Sequence, residues 1–299
     1  MLRTLAYFDL FDYPLTLSEI ARYLTGDGDR EAETVDADSI REALTAVGVG
    51  QHDGYYHLSG REAIVSIRQR RYRLAKRKYD LARRWAGVFR HLPSVRLIAV
   101  CNSLALANAD QDSDIDLFVV TRPGQLWITR LIMVGLLHLL RLRPTATESA
   151  DRLCLSFFVT SDSLDLTPVH LGPDDAYLAY WLATLMPLYD AGGVMAELTA
   201  RNTWTRRFLP SGGTVEPAAV RSLGRSKFWL RPLSPLLRLL EAPARSFQRR
   251  RFPPEILAAM NRGKGVVVND RMLKFHVADR RADFSRRYRE RLVSLKSIA

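Results

Sequence analysis

Apolar residues recur at helical spacing through residues 2–11, where Leu2, Leu5, Ala6 and Leu10 share one face, and Pro14 ends that pattern. Thr16 or Ser18 is placed to cap a second helix, LSEIARYL, and Ser39 a third, IREALTAV. Residues 26–36, rich in Gly, Asp and Glu, read as a loop. The period then drops to two: GVGQHDGYYHLSG alternates about Asp53-Gly54, which predicts a hairpin. Residues 61–92 return to a helical period, with Ile64, Ile67, Leu74, Leu81 and Trp85 as the expected buried stripe, until Pro93. VRLIAVC, at 95–101, is a β-branched apolar run and reads as a buried strand; NSLALANA is a turn into a short helix, and DIDLFVV a second strand. A helix is expected around 124–141, then a strand in DRLCLSFFVTSD. Strict alternation there would put Leu153, Leu155, Phe157 and Val159 on one face and Cys154, Ser156, Phe158 and Thr160 on the other. DDAYLAYWLATLMPLYD reads as one amphipathic helix with Tyr177, Tyr180, Trp181 and Leu185 toward the core. Pro232, Pro235 and Pro243 cut the next apolar and basic segment into short pieces, and Val266 to Val268 reads as a short strand.

Strands alternating with helices predict an α/β (α+β) protein in four parts. The first, 1–60, has the order helix, helix, helix, hairpin and resembles a winged-helix unit. The others are a connector helix at 61–92, a strand-rich core at 93–170 and a mainly helical region at 171–299. Charge sharpens this division. The net charge of +12 is the balance of −7 over 1–60, +10 over 61–100, −7 over 101–200 and +16 over 201–299. The basic regions 61–92 and 201–299 could bind nucleic acid, or the acidic parts could dock on them and cancel the charge. Acidic surroundings of the third helix favour packing or protein contact for the first unit over phosphate contact. Two cysteines, Cys101 and Cys154, argue against a disulfide framework. The run LWITRLIMVGLLHLL is interrupted by Arg130 and His138 and is too short to span a bilayer, so no transmembrane segment and a cytoplasmic location are expected.

Candidate chemistry concentrates in CNSLALANADQDSDIDLFVV, which crowds Asp110, Asp112, Asp114 and Asp116 ahead of an apolar run. Asp110 and Asp112 read as a solvated, turn-capping loop. Asp114 and Asp116 differ: on a strand they share one face while Ile115 and Leu117 point to the core. Two carboxylates on one rigid face make a hard oxygen site suited to Mg²⁺. Asn102 and Ser103, at the turn after the first strand, could cradle phosphate with backbone N–H groups and a hydroxyl, with helix capping as the plainer role for Ser103.

These residues resemble the signature of the DNA polymerase β-like nucleotidyltransferase superfamily: Gly-Ser, a short helix, then Asp-x-Asp flanked by apolar residues. The resemblance covers residues 95–120. It implies a mixed sheet with flanking helices, a metal site at Asp114 and Asp116 for Mg²⁺ or Mn²⁺, nucleotide contacts from Asn102 and Ser103, and transfer of a nucleoside monophosphate from an NTP to an acceptor. The chain departs from that signature twice. Asn102 stands where the family has glycine. Ser156 stands where a later strand usually brings a third carboxylate, with Asp151, Asp162 and Asp165 only at or beyond the strand ends. The alternative is therefore a catalytically degenerate domain that binds nucleotide or nucleic acid as a sensor or adaptor. Lys264, Lys274, His276, Arg280 and Arg281 form a further cluster that could meet a triphosphate or an acceptor, although His276 next to Phe275 reads more readily as structural.

Overall fold

The computed structural model describes residues 1–26, 36–145, 147–172, 175–210, 222–224 and 231–296. The loop expected over 26–36 lies, apart from Gly26 and Asp36, outside the described residues. The chain begins with α1 (Leu2–Asp9), β1 (Leu15–Thr16), α2 (Leu17–Arg22), α3 (Ala37–Ala46), β2 (Gly50–His52) and β3 (Tyr55–His57). Thr16 caps α2 in a reciprocal box: its hydroxyl accepts from the Glu19 backbone, and Glu19 accepts from the Thr16 backbone at 2.8 Å. The cap of α3 is Asp36, not Ser39; Ser39 is instead inside the first turn, donating its hydroxyl to Asp36 at 2.6 Å. Asp53 and Gly54 both take positive φ, 50° and 78°, which a tight hairpin turn needs at its two central residues. β1 joins that hairpin in the order β1-β3-β2.

α4 (Ala63–Phe89) follows. Its buried stripe is Ile64, Ala75, Tyr79, Ala82, Ala86 and Phe89, while Ile67, Leu74, Leu81 and Trp85 are only half-buried. The stripe is shifted toward the alanines, which join Tyr79 and Phe89 in the core cluster under the helix. Two of its cations are also buried. Arg68 forms a two-pronged pair with Glu19 at 2.8 Å and lies over the Tyr13 ring. Lys78 donates to the Gln111 and Ser113 carbonyls and to Asp151. Arg70, Arg73, Lys76, Arg77, Arg83 and Arg84 remain exposed. Docking of the acidic first unit on this helix thus uses the buried Arg68–Glu19 pair rather than the whole basic run, while Lys78 ties the helix to the core.

The core continues with β4 (Val95–Val100), α5 (Asn102–Ala105), β5 (Ile115–Thr121), α6 (Leu126–Leu139), β6 (Leu153–Thr160), α7 (Ala176–Ala183), β7 (Met186–Asp190) and α8 (Val194–Arg201). It ends with α9 (Ser234–Leu239), α10 (Glu241–Arg249), α11 (Pro254–Ala259), β8 (Val266–Val268), β9 (Met272–Phe275) and α12 (Arg281–Lys296). A six-stranded mixed sheet runs β7-β4-β5-β6-β9-β8, with β5 and β6 parallel and every other pair antiparallel. The sheet therefore takes strands from both sides of residue 170. One of them, β7, replaces the second half of the helix expected from DDAYLAYWLATLMPLYD. Pro187 is tolerated there because β7 is an edge strand, and the pairing with β4 shifts register where Pro187 meets Ala99.

Apolar clusters cover both faces of the sheet. Phe89, Ile98, Trp127 and Phe158 belong to the layer under α4, α6 and α10, and Leu97, Phe118, Phe157 and Trp181 to the layer under α7 and α8. Fully burying side chains of this size contributes about 1.5–3 kcal/mol each, so the sheet's position is fixed from both sides. A third cluster joins Leu5, Phe8, Ile20 and Ile40 of the first unit to Tyr180 and Ala183 of α7. Tyr7 stacks on Tyr180 with centroids 3.9 Å apart. The first unit is thus packed onto the core. No helix among the described residues is long and apolar enough to cross a membrane.

Candidate active site

Antiparallel β4 and β5 and parallel β6 place the end of β4 and the starts of β5 and β6 at one edge of the sheet. There Asn102 adopts a left-handed φ of 57°, the conformation that asparagine tolerates better than most residues. Its side chain does not hang in the cleft. The amide nitrogen donates to Asp116 at 2.6 Å, and the amide oxygen accepts from the Trp181 indole at 3.0 Å. An indole N–H can only donate, so this pair of bonds fixes which way the amide faces. Ser103 is exposed at the first turn of α5.

The acidic run behaves as two halves. Asp110 accepts from Ser113 at 2.7 Å and closes a turn, and the Ser113 bond holds its carboxyl below the usual range. Lys78 pins the carbonyls on either side of Asp112, so a buried cation from α4 shapes the loop. Asp114 and Asp116 then lie on one face, half-buried, with Ile115 and Leu117 in the core. A ligand atom of Asp114, one of Asp116 and the Cys154 sulfur all lie within 4.8 Å of one another.

That sulfur, on the face that alternation gives to Cys154 and Ser156 alike, stands where the resemblance implied Ser156. Asp116 pairs with Cys154 in register, and the register then shifts before Phe118 meets Phe157. The bulge explains the exchange of faces: Leu153, Leu155 and Phe158 pack on one layer, Phe157 and Val159 on the other. Ser156 instead meets His276 at 3.2 Å. Asp151 is held by Lys78 at 2.9 Å and Arg77 at 3.1 Å, and Asp162 and Asp165 lie past the opposite end of β6. No third carboxylate joins the pair among the described residues.

Burial, then the neighbouring Asp116 charge, pushes the Asp114 carboxyl up to about 6. Burial raises Asp116 as well, against the Asn102 bond. The Cys154 thiol is pushed well up by burial and by both acids. Among the described residues, no lysine, arginine or histidine forms a salt bridge with Asp114 or Asp116. Two convergent carboxylates suit a hard divalent cation that keeps its other positions for water or phosphate oxygens. A protonated thiol is a poor ligand for Mg²⁺ and would act beside it as a hydrogen-bond donor. The donor set fits a magnesium-type ion through the carboxylates alone.

Two hollows adjoin this edge. One, of about 380 Å³, is lined by Asn102, Phe157, Trp181, His276 and Arg280, and reaches β9 and α12. The other, of about 290 Å³, is lined by Asn102, Ser103 and aromatic rings from α1, α7 and α12. Asn102 lines both, and it bonds directly to Asp116, which lines neither. Of the C-terminal cluster, Arg280 is exposed, whereas Arg281 is buried and pairs with Asp175 at 3.0 Å and Asp279 at 2.7 Å. Lys274 pairs with Asp279 at 3.2 Å, and burial pushes it down to about 8. His276 is pushed down to about 4 by burial and Lys274, so its ring is neutral at pH 7. Lys264 donates to the Pro168 carbonyl at 2.6 Å. The sequence pattern missed Trp181 and Cys154 as site residues, because neither a strand bulge nor an indole-to-amide bond leaves a periodic trace. No protein-family model, curated protein or solved structure matches this chain.

Proposed function

We propose that the protein is a metal-dependent nucleotidyltransferase that moves a nucleoside monophosphate from an NTP to an acceptor. One observation carries this reading: Asp114 and Asp116 converge, are partly desolvated and, among the described residues, form no salt bridge with a protein cation. Leaving two buried charges unpaired is expensive, so such a pair is expected to meet its cation in the form of a ligand. Asp114 and Asp116 would hold Mg²⁺ or Mn²⁺, which neutralises phosphate charge when bound. The mixed sheet with helices on both faces is what the polymerase β-like resemblance implies.

The chain's own residues supply the rest. Asn102 orients Asp116, Lys78 shapes the loop that leads into Asp114, and Ser103 offers a hydroxyl beside the cleft. In the transfer, an acceptor oxygen bonds to the α-phosphorus while the bond to the bridging oxygen breaks and pyrophosphate leaves. With no third carboxylate beside the pair, an acceptor that is already ionised at neutral pH, such as a phosphate, is favoured over a hydroxyl that needs a base. The test is incubation of purified protein with each labelled NTP, Mg²⁺ or Mn²⁺ and cell extract. Labelled product or pyrophosphate that is lost in Asp114→Ala supports the reading, and its absence with every NTP and both metals sinks it.

A second reading rests on Cys154 beside the pair and on the commitment of Asn102 to Asp116 and Trp181. Both favour a domain that holds a nucleotide without turning it over, acting as a sensor or adaptor. Saturable NTP binding with no product distinguishes it. The exposed cations of α4 leave a third role, polyanion contact, which salt-sensitive RNA or DNA binding unaffected by Asp114→Ala would reveal.

A further inference from the structure

The two cysteines of this edge keep different company. Cys101, at the end of β4, is buried and belongs to the apolar layer of Phe118, Phe157 and Trp181, where a thiol packs as a small apolar group. Cys154 belongs to neither apolar layer of the sheet and is half-buried. Its sulfur and one ligand atom each of Asp114 and Asp116 lie within 4.8 Å of one another. Packing accounts for the first thiol and leaves the second unexplained. Two strands deliver the three groups: Asp114 just ahead of β5, Asp116 on it, and Cys154 opposite Asp116 on β6. Leu153 and Leu155, on either side of Cys154, are buried in the core, which fixes the direction of the side chain between them. The next polar side chain of β6, Ser156, is engaged with His276 at 3.2 Å. Among the described residues no fourth histidine, cysteine or carboxylate joins the set.

We infer that Asp114, Asp116 and Cys154 form a three-ligand site for a thiophilic divalent cation of the zinc class, which competes with magnesium for the same two acids. The inference rests on the proposed metal site and deepens it by naming the other class of ion that the site admits. The carboxylates alone offer Mg²⁺ oxygen donors and leave the rest of its octahedron to water and phosphate. Thiolate selects softer metals, so with a zinc-class ion the sulfur joins the carboxylates. A sulfur–metal bond forms, the S–H bond breaks, and the proton passes to solvent, one for each ion bound. Three protein ligands fill all but one position of a tetrahedral ion. Little is then left for phosphate oxygens, and the ion holds the site without supporting transfer. The thiol thereby gives the site an inhibitory occupant that the two acids by themselves would hold only weakly.

The experiment titrates the reduced full chain with Cd²⁺, which reports sulfur ligation by a thiolate-to-metal absorption band in the ultraviolet, and measures Zn²⁺ and Mg²⁺ affinity by calorimetry. A band that saturates at a single Cd²⁺ per chain is expected, kept in Cys101→Ala and lost in Cys154→Ser and Cys154→Ala. Both Cys154 variants should bind Zn²⁺ at least about 100-fold more weakly, the upper range for losing a group that only hydrogen-bonds to a ligand. Their Mg²⁺ affinity should stay within about two-fold of the parent, because magnesium does not use the sulfur. Asp114→Ala should weaken both ions. No band in the parent, a band that survives the loss of Cys154, or Zn²⁺ affinity unchanged in both Cys154 variants overturns the three-ligand site and leaves nucleotidyl transfer standing. If Asp114→Ala weakens neither ion, the acids hold no metal and both proposals fall.

Discussion

Asp175 and Asp279 meet Arg281 at 3.0 and 2.7 Å, with Lys274 3.2 Å from Asp279. Asp114 and Asp116 meet each other, a thiol and an asparagine amide, and among the described residues form no salt bridge. Burial acts on Asp279 and Asp114 in the same upward direction. For Asp279, Arg281 and Lys274 outweigh it, and the carboxyl is held far below its usual range. For Asp114 nothing outweighs it. The first pair is a finished structural network whose counter-charges are built in. The second leaves its counter-charge to be supplied, which is what separates a binding site from a brace made of the same residue type.

Breaking the two groups should therefore have different consequences: loss of turnover in one place and loss of stability in the other. The largest effect expected is on turnover: Asp114→Ala and Asp116→Ala should each lower product formation at least about 10³-fold, since a metal contributes several kcal/mol to such a transition state. Purified variants assayed for pyrophosphate release check this, and a loss below ten-fold would detach the pair from the chemistry.

Next comes the brace. Arg281→Met leaves Asp175, whose side chain is 0% exposed, without its cation. A stability loss of about 3–5 kcal/mol is expected in urea unfolding, the cost of stranding a buried charge. A loss near zero would make the two pairs equivalent after all.

Smaller and opposite in sign is the effect of Asp114→Asn on the metal-free protein. The folded carboxyl, at about 6, binds its proton more tightly than the unfolded one, near 3.9. Ionisation therefore costs stability above pH 6, and the cost fades as pH falls from 6 toward 4. Asp114→Asn should raise Tm at pH 7.5 by about 2–4 °C, the shift that ~1 kcal/mol gives in a domain of this size class, and leave it unchanged at pH 4. Added Mg²⁺ should stabilise only the parent. Thermal melts at the two pH values, with and without metal, decide it.

The smallest effect belongs to the exposed run of α4. Lys76 pairs with Asp80 at 3.6 Å, both largely exposed. Lys76→Ala should cost about 0.3–0.5 kcal/mol in urea unfolding. A cost above about 1 kcal/mol would mean that the solvated part of the basic run also holds the first unit in place.

Periodicity alone located the hairpin at Asp53-Gly54, the long α4, the β4–turn–β5 unit and the shared face of Asp114 and Asp116, because each is set by contacts within a few residues. It misread β7 as helix, since an apolar run containing Pro187 acquires strand geometry only when β4 lies beside it. The resemblance put Ser156 where a third acid would stand, but which residue of β6 lies opposite Asp116 depends on the pairing register, and that residue is Cys154. Periodicity treated Lys78 and Arg68 as members of one basic surface, although each is buried against a different acid from another part of the chain.

The sequence by itself determined which carboxylates share a face, because side-chain direction along a strand follows from the backbone. Only the tertiary structure decided that, among the described residues, no cation would form a salt bridge with the pair, that Cys154 would lie beside it and that Asn102 would join it to two hollows. Those facts depend on which distant side chains the sheet and helices bring within a few ångströms, and charge balance at a buried site is decided by that company.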